Sequence, residues 1–395
     1  MTAWIDLILA ALALPATLCC AYLALLTCLS WQLPSQGRSS RTLCFDIIVP
    51  AHNEEAGITR TISSLQAIDW PADRLRIVVV ADNCSDTTAA VARKAGAHVL
   101  ERQDAKLRGK GYALAHAFAC SLQDGFASAV VVVDADAEVS SNLLEAFASR
   151  IEHGAKAIQA HYGILNPWSS WRTQLITIAK GAFHVVRSRA RERLGLSCGI
   201  RGNGWCVTHA LLREAPYRYY SLTEDVEYGI ALGLAGHRVV FAGEANANAD
   251  MASNETTARS QRERWEKGRF QLVRASTSRL LIAAWQHRSL ICLDLAFDLL
   301  VPPLSYLASN IVLLGMAALL LKLFIPSATF WLFWSAGCAV ALLIHVLRGW
   351  YLSGIGIRGL AALVHVPGFI LWRIWLLLGL KAKTVEWVRT DREKH

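Results

Sequence analysis

Two short acidic stretches stand out. At 134–136 the chain runs Asp-Ala-Asp directly after Ala129 and four valines, and at 223–225 it runs Thr-Glu-Asp. Two carboxylates on one strand end repel each other unless a cation or an arginine sits between them, and hard divalent cations take oxygen ligands. Magnesium usually keeps water and substrate phosphates in its shell, so the DAD pair points to a metal that in turn holds a diphosphate. The TED acids open a helical pattern, SLTEDVEYGIALGLAG, with Thr223 as its N-cap. Acids in a first turn complement the helix dipole, which is the structural reading of Glu224 and Asp225.

Three further stretches carry chemistry-capable side chains. Lys110 lies in RGKGY, either as a solvated lysine or as a ligand. QRERW, 261–265, falls on a helical segment where Gln261, Arg264 and Trp265 share one face at i, i+3 and i+4. An ordinary charged helix with its tryptophan packed inward would look the same, but a guanidinium fork also suits phosphate oxygens. In GIRGNGWCVT, 199–208, the glycines permit close backbone approach and Trp205 could stack on a sugar.

Positioning these residues requires an alternating domain between about 42 and 275. CFDIIVP (44–50) reads as a strand, and a helix opened by Asn53 should follow. RLRIVVVAD (74–82), AHVLER and AVVVVDAD read as further strands, with helices between them, one of which stops at Gly96. Parallel strands joined by helices present their following loops at the carboxyl end of the sheet, where ligands bind. His52, Glu54, Asp82, Asp134 and Asp136 all fall at that end.

With 54% hydrophobic residues and a mean hydropathy of +0.32, the chain is too apolar for an ordinary soluble enzyme. Residues 7–29 carry no charge and are long enough to span a bilayer, and the following QGRSSR places that side in the cytoplasm. A second apolar region begins after 275. Residues 289–304, with Asp294, Asp298 and a double proline, read as an interfacial helix; 304–325 and 329–347 read as spans. Residues 359–380 contain His365, Pro367 and Arg373 and are either interfacial, re-entrant or a further span. The basic tail from 381 to 395 should be cytoplasmic. Trp168 and Trp171 open an amphipathic helix ending in RSRARER, as core, interface or sugar-facing aromatics. The ten cysteines show no metal spacing and are expected to be reduced thiols. The net charge of +9 is not arranged as a basic stripe interleaved with aromatics, so a membrane surface is expected rather than nucleic acid.

In this order and setting, four motifs carry a resemblance: PAHNEE (50–55) with Asp82, DAD (134–136), TED (223–225) and QRERW (261–265). The chain resembles the membrane-bound, inverting glycosyltransferases of family two, akin to cellulose, hyaluronan and chitin-oligosaccharide synthases. The resemblance covers roughly 42–275 and the membrane part only loosely. It implies an α/β fold of the GT-A (Rossmann-like) type: a catalytic domain over 42–275 in the cytoplasm, a transmembrane helix within 1–31, and interfacial and transmembrane helices over 276–380. Glu54 and Asp82, with His52 alongside, would contact the uracil and ribose of a UDP-sugar, and Lys110 the uridine or diphosphate. Asp134 and Asp136 would serve the nucleotide and Mg²⁺ or Mn²⁺, Asp136 foremost. Asp225 would be the general base, with Glu224 the next candidate. Arg264 and Gln261 would act on the diphosphate, with Trp265 and Trp205 as acceptor platforms. The resemblance also matches Trp387 to Thr390 to a short tail motif of hyaluronan-type synthases. It departs at 199–208 from the cysteine-glycine-serine pattern of cellulose synthases.

Physical chemistry suits that division. Expelling UDP builds charge on the diphosphate, so cations there favour the transition state over the ground state. An acceptor hydroxyl is a poor nucleophile and needs a carboxylate in reach, and burial must offset the helix dipole if Asp225 is to be a strong base. The expected partners are a UDP-sugar, a glycan or lipid-linked acceptor and the lipids of a cell inner membrane, in which the chain would be multi-pass. Exopolysaccharide or envelope synthesis is the leading expectation. A single-sugar glycolipid synthase is the alternative, and a non-catalytic sugar-nucleotide sensor is argued against by the intact acidic motifs.

Overall fold

The structure is a computed structural model that describes residues 2–34, 36–251, 255–368 and 370–371; the side chains of 2, 3 and 255–265 lie outside that description. In chain order the elements are α1 (Thr2–Cys28), β1 (Phe45–Ala51), α2 (Ile58–Gln66), β2 (Leu75–Asp82), α3 (Thr88–Lys94), β3 (His98–Arg102) and α4 (Lys110–Asp124). Then come β4 (Ala129–Val132), β5 (Ala137–Val139), α5 (Leu143–Glu152), β6 (Ala157–Ile164), α6 (Trp171–Lys180), a π-helical segment (Gly181–Val186) and α7 (Arg187–Arg193). The rest comprises β7 (Trp205–Thr208), α8 (His209–Glu214), α9 (Glu224–Leu234), β8 (Val239–Ala249), α10 (Glu255–His287), α11 (Leu290–Leu300), α12 (Leu304–Leu321), α13 (Ala328–Ser353) and a 3₁₀ helix (Ile357–His365).

Two compact units divide the chain. The globular one takes 32–166 and 191–299 of the described residues. Its eight strands lie in the order β3-β2-β1-β4-β7-β6-β8-β5. From β3 to β4 all neighbours are parallel, whereas β7 runs antiparallel to both β4 and β6. The parallel strands are the apolar runs of the sequence because both their faces are covered. One face buries Ile47, Val49, Val79 and Val131 against Ile58, Ile62 and Phe147; the other buries Ile48, Val80 and Val132 against Leu114, Phe118 and Tyr228.

The helix after β1 begins later than expected. Asn53 sits at φ +57° and does not cap it; the cap is Gly57. Asn53 instead accepts the Ser85 backbone N–H at 2.7 Å, which fixes the loop after β1 to the loop after β2.

The second unit contains α1, α12 and α13, three helices long and apolar enough to cross a membrane. Ala16, Cys20, Leu23, Ile311 and Leu342 pack together in it. Polar side chains find partners between these helices, as apolar surroundings demand: Trp334 Nε1 donates to Thr17 Oγ1 at 2.8 Å, and Thr27 Oγ1 shares a hydrogen bond with His345 Nδ1 at 2.8 Å. Trp171 of this unit is half-buried and stacks on His365 at 4.7 Å. Of 359–380, the first part is the 3₁₀ helix; 372–395, with the tail motif, lies outside the described residues.

Candidate active site

The site grows from the carboxyl ends of β1, β2 and β4. After β1, His52 Nδ1 hydrogen-bonds the carbonyl of Asp82 at 2.8 Å, and the Glu54 N–H donates to Thr88 Oγ1 at 2.7 Å. The Asp82 carboxylate is almost fully buried and accepts from Arg102 Nη1 at 2.6 Å. Arg102 in turn lies 5.8 Å from the ring centroid of Tyr112, which stacks on Tyr220 at 4.2 Å and 7°. Arg102 and Tyr220 lie outside every motif, Tyr112 closes the RGKGY stretch, and pairing β2 with β3 in register Asp82↔Arg102 is what brings Arg102 to Asp82.

After β4, Lys110 from the start of α4 donates to Asp134 Oδ1 at 2.6 Å and to the carbonyl of Gly202 at 2.8 Å. Lys110 is therefore not a solvated lysine, and the expectation that the DAD pair needs an external cation is corrected for Asp134: the protein supplies one. Burial alone would lower the lysine's pKa, but Asp134, Glu224 and Asp225 outweigh it and raise the pKa. The ammonium is a fixed positive charge.

Gly202 reaches this place because β7 is antiparallel to β4, with Trp205 opposite Val132. Residues that precede β7 therefore meet residues that follow β4. Asn203 Oδ1 accepts the Asp134 N–H at 3.0 Å, and the Gly204 N–H donates to the carbonyl of Val132 at 3.0 Å. A Cβ on Gly202 would stand 2.8 Å from Oδ2 of Asp225 and would displace that carboxylate, and its φ of +96° requires glycine. The same reversal buries Trp205 completely, among Phe118, Tyr217 and Tyr228. The expectation of Trp205 as a sugar platform is thereby corrected: no face of its ring is open to a ligand.

Asp225 and Glu224 open α9, with Thr223 at the N-cap position. Burial raises the pKa of Asp225, against the opposing pull of Lys110 and a backbone hydrogen bond. Glu224 is pushed up to about 7 by burial and then by the charge of Asp225, with Lys110 opposing. Burial thus wins over the helix dipole at both carboxyls. Such pairs of shifted acids in one place are typical of reacting sites.

Tyr162, on β6, was not legible as a site residue. Burial first, then Asp134, Asp136 and Asp225, raise its pKa well above the ordinary phenol value, so three carboxylates act on one ring. Arg60 Nη2 approaches the Asp136 backbone carbonyl at 3.3 Å and pairs with Asp250. Surplus negative charge on oxygen donors, which Lys110 offsets only in part, fits a hard divalent ion near Asp134 and Asp136. Among the described residues no three His, Cys, Asp or Glu side chains form a complete metal cluster. Such an ion would complete its shell with phosphate and water, as Mg²⁺ commonly does. Gln261, Arg264 and Trp265 fall on the backbone of α10, and their side chains lie outside the described residues.

Residues 46–212 match the family model described as Glycosyl transferase family 2. The chain is 25% identical over 236 residues to "Probable glycosyltransferase YdaM" of Bacillus subtilis, covering 58% of this chain and 55% of that protein. It is 26% identical over 311 residues to "Beta-monoglucosyldiacylglycerol synthase" of Synechocystis sp., covering 68% of this chain and 61% of that one. Over 245 residues it is 22% identical to "Probable glucomannan 4-beta-mannosyltransferase 11" of Arabidopsis thaliana, covering 59% and 55%. The matches thus span little more than half the length of these relatives. Among solved structures, a mannosyltransferase from Pyrobaculum calidifontis in complex with GDP-Man and Mn²⁺ aligns with a TM-score of 0.49 and 18% identity, over 86% of this chain and 98% of that one. The mixed α/β sheet is of the GT-A type, and most of its strands lie within the residues that match this family model.

Proposed function

We propose that this chain is an inverting glycosyltransferase that moves a sugar from a UDP-sugar to a hydroxyl of a polysaccharide or lipid-linked glycan at a membrane. The observation that carries the reading is the convergence of Lys110, Asp134 and Asp225 on the Gly202 backbone at the carboxyl end of the sheet. The acceptor oxygen attacks the anomeric carbon from the face opposite UDP. The bond from that carbon to the diphosphate oxygen breaks, its electron pair leaves with UDP, and the acceptor proton passes to Asp225. A buried carboxylate with a raised pKa is suited to that proton.

His52, Glu54 and Asp82, the last through Arg102, would hold the nucleoside. Lys110 places positive charge where the leaving diphosphate develops its own, joined by Arg264 and Gln261 of α10. Asp136, with Asp134, would hold Mg²⁺ or Mn²⁺, which when bound supplies further neutralisation of the diphosphate. Trp265 remains the acceptor platform in this reading. The globular unit would face the cytoplasm of an inner membrane crossed by α1, α12 and α13, and the product would serve exopolysaccharide or envelope synthesis.

Transfer of one sugar to a lipid is the second reading, favoured by the similarity to a glycolipid synthase over 311 aligned residues. Incubating membranes that contain the protein with a panel of radiolabelled UDP-sugars, then sizing the product and extracting it into organic solvent, tests both. A long water-soluble product supports the polymer, and one organic-extractable sugar supports the glycolipid. No transfer from any UDP-sugar would overturn the proposal.

A further inference from the structure

A second charged cluster in the globular unit takes no part in the chemistry proposed above, yet it ends on the same loop. Arg191 is completely buried; its Nε lies 2.8 Å from Asp294 Oδ2 and its Nη2 lies 2.6 Å from Asp298 Oδ1. The other oxygen of Asp298 takes Arg201 Nη2 at 3.2 Å. Arg201 also donates through Nε to the Cys198 carbonyl at 2.9 Å, and its backbone N–H donates to Gln159 Oε1 at 2.8 Å. Side chain and backbone of Arg201 are both tied down, and the next residue is Gly202.

The same end of α11 fixes α10. Arg269 Nη2 donates to the carbonyls of Asp298 and Leu299 at 3.2 and 3.0 Å. One residue earlier, Gly268 lies so close to Thr223 that a Cβ would stand 2.6 Å from its Cγ2. Thr223 is the N-cap position of the helix that Asp225 opens. From α11, one path therefore runs through Arg201 to Gly202, and a second through Arg269 and Gly268 to Thr223. The first ends beside Asp225, the second at the N-cap of the helix that Asp225 opens.

We infer that Arg201, held by Asp298, is a positioning residue: it sets the Gly202 backbone that holds Lys110 by its carbonyl and abuts the carboxylate of Asp225. This rests on the reading of Asp225 as the base. If Arg201 is lost, the loop is free to move by a fraction of an ångström, and the base and the lysine lose their shared reference. Donor binding draws on the ends of β1 and β2 as well and should survive, so the loss should fall on turnover.

The experiment uses the full chain in detergent or membranes and compares Arg201→Ala, Arg201→Lys, Gly202→Ala and Asp225→Asn with the native protein. Arg201→Ala should lower kcat roughly 10–100-fold, the scale of a small misplacement of reacting groups, while KM for the donor changes less than about threefold on the same reasoning. Arg201→Lys should recover part of kcat. Should Arg201→Ala fail to fold, Arg201→Lys still loses the bond from Nε to the Cys198 carbonyl while keeping charge beside Asp298. It should show a smaller loss of kcat with UDP affinity retained, and Gly202→Ala tests separately whether the Gly202 contact governs Asp225. If Asp225→Asn is inactive while Arg201→Ala and Gly202→Ala keep native kcat, the positioning role is overturned and the base reading stands. Native turnover in Asp225→Asn would overturn both.

Discussion

Around Lys110, one cation faces Asp134, Glu224 and Asp225, and Asp136 acts on the same neighbourhood. Around Arg191, two arginines face two aspartates, and all four side chains are nearly sealed from water. The second cluster is balanced, as buried charge must be. In the first, Lys110 and Asp134 keep 29% and 25% of their side-chain surface, and acid is in excess. Imbalance next to solvent costs stability and is tolerated where a cationic or proton-bearing ligand completes the site, whereas balance in the dark serves only placement. Chemistry and scaffold are thus told apart by the sum of their charges more than by their residue types.

The largest effect is expected at the cation. Lys110→Met removes the charge that opposes burial at Glu224 and Asp225, and it frees Asp134. Turnover should fall roughly 10²–10³-fold, the scale of losing one preorganised electrostatic stabiliser, and the acidic limb of the pH–rate profile should move to higher pH because both carboxyls hold their protons longer. In the native protein that limb should already lie above the ordinary carboxylate range near pH ~4. A pH series of initial rates reads both effects, and an unshifted limb in the variant would count against the account.

Breaking the balanced cluster should instead strike stability. Arg191→Leu leaves Asp294 and part of Asp298 buried without their partner, a loss of about 3–5 kcal/mol on the usual scale for such pairs. Thermal melts in detergent should show it directly, and an unchanged melting temperature would mean that the ion pairs contribute nothing net.

A smaller effect sharpens the contrast. Glu224 has a folded pKa of about 7 against a reference of 4.5. Its raised value means that the folded chain binds the proton more tightly, so stability from this group is present at low pH and is lost as pH rises from about 4.5 through about 7. Glu224→Gln keeps the shape and removes the titration. The variant should be more stable than the native protein at alkaline pH, by roughly 3 kcal/mol, and little different below the reference value. Melts at both ends of that range check the sign; equal native and variant stability at high pH would contradict it.

Half of this site was legible in the sequence, and the dividing line is strand direction. Along the parallel strands, site residues follow their strand at once, so Glu54, Asp82 and Asp134 could be placed by eye on one edge. Beyond β4 the sheet reverses, and Gly202 to Gly204 precede their strand, so their meeting with Asp134 depends on long-range pairing that no local pattern announces. Trp205 suffered from the same ambiguity: a tryptophan after a glycine-rich loop looks the same whether it points to a ligand or into the core. Asp294 and Asp298 looked like acids at a membrane surface because their partner, Arg191, is about a hundred residues away in an amphipathic stretch. Arg102 and Tyr162 carried no signal, since their importance comes from what the sheet places beside them.

In the proposed reaction Asp225 takes the acceptor's proton, whereas Asp136 serves the donor and its metal. Calorimetry with UDP and Mn²⁺, run beside transfer assays on Asp225→Asn and Asp136→Asn, tests it directly. Asp225→Asn should bind UDP nearly as the native protein does while turnover falls by roughly two to four orders of magnitude; Asp136→Asn should weaken metal-dependent binding as well as turnover, and chelating the metal from the native protein should do the same. Near-native turnover in Asp225→Asn would contradict the account and leave that carboxylate a helix-terminal acid.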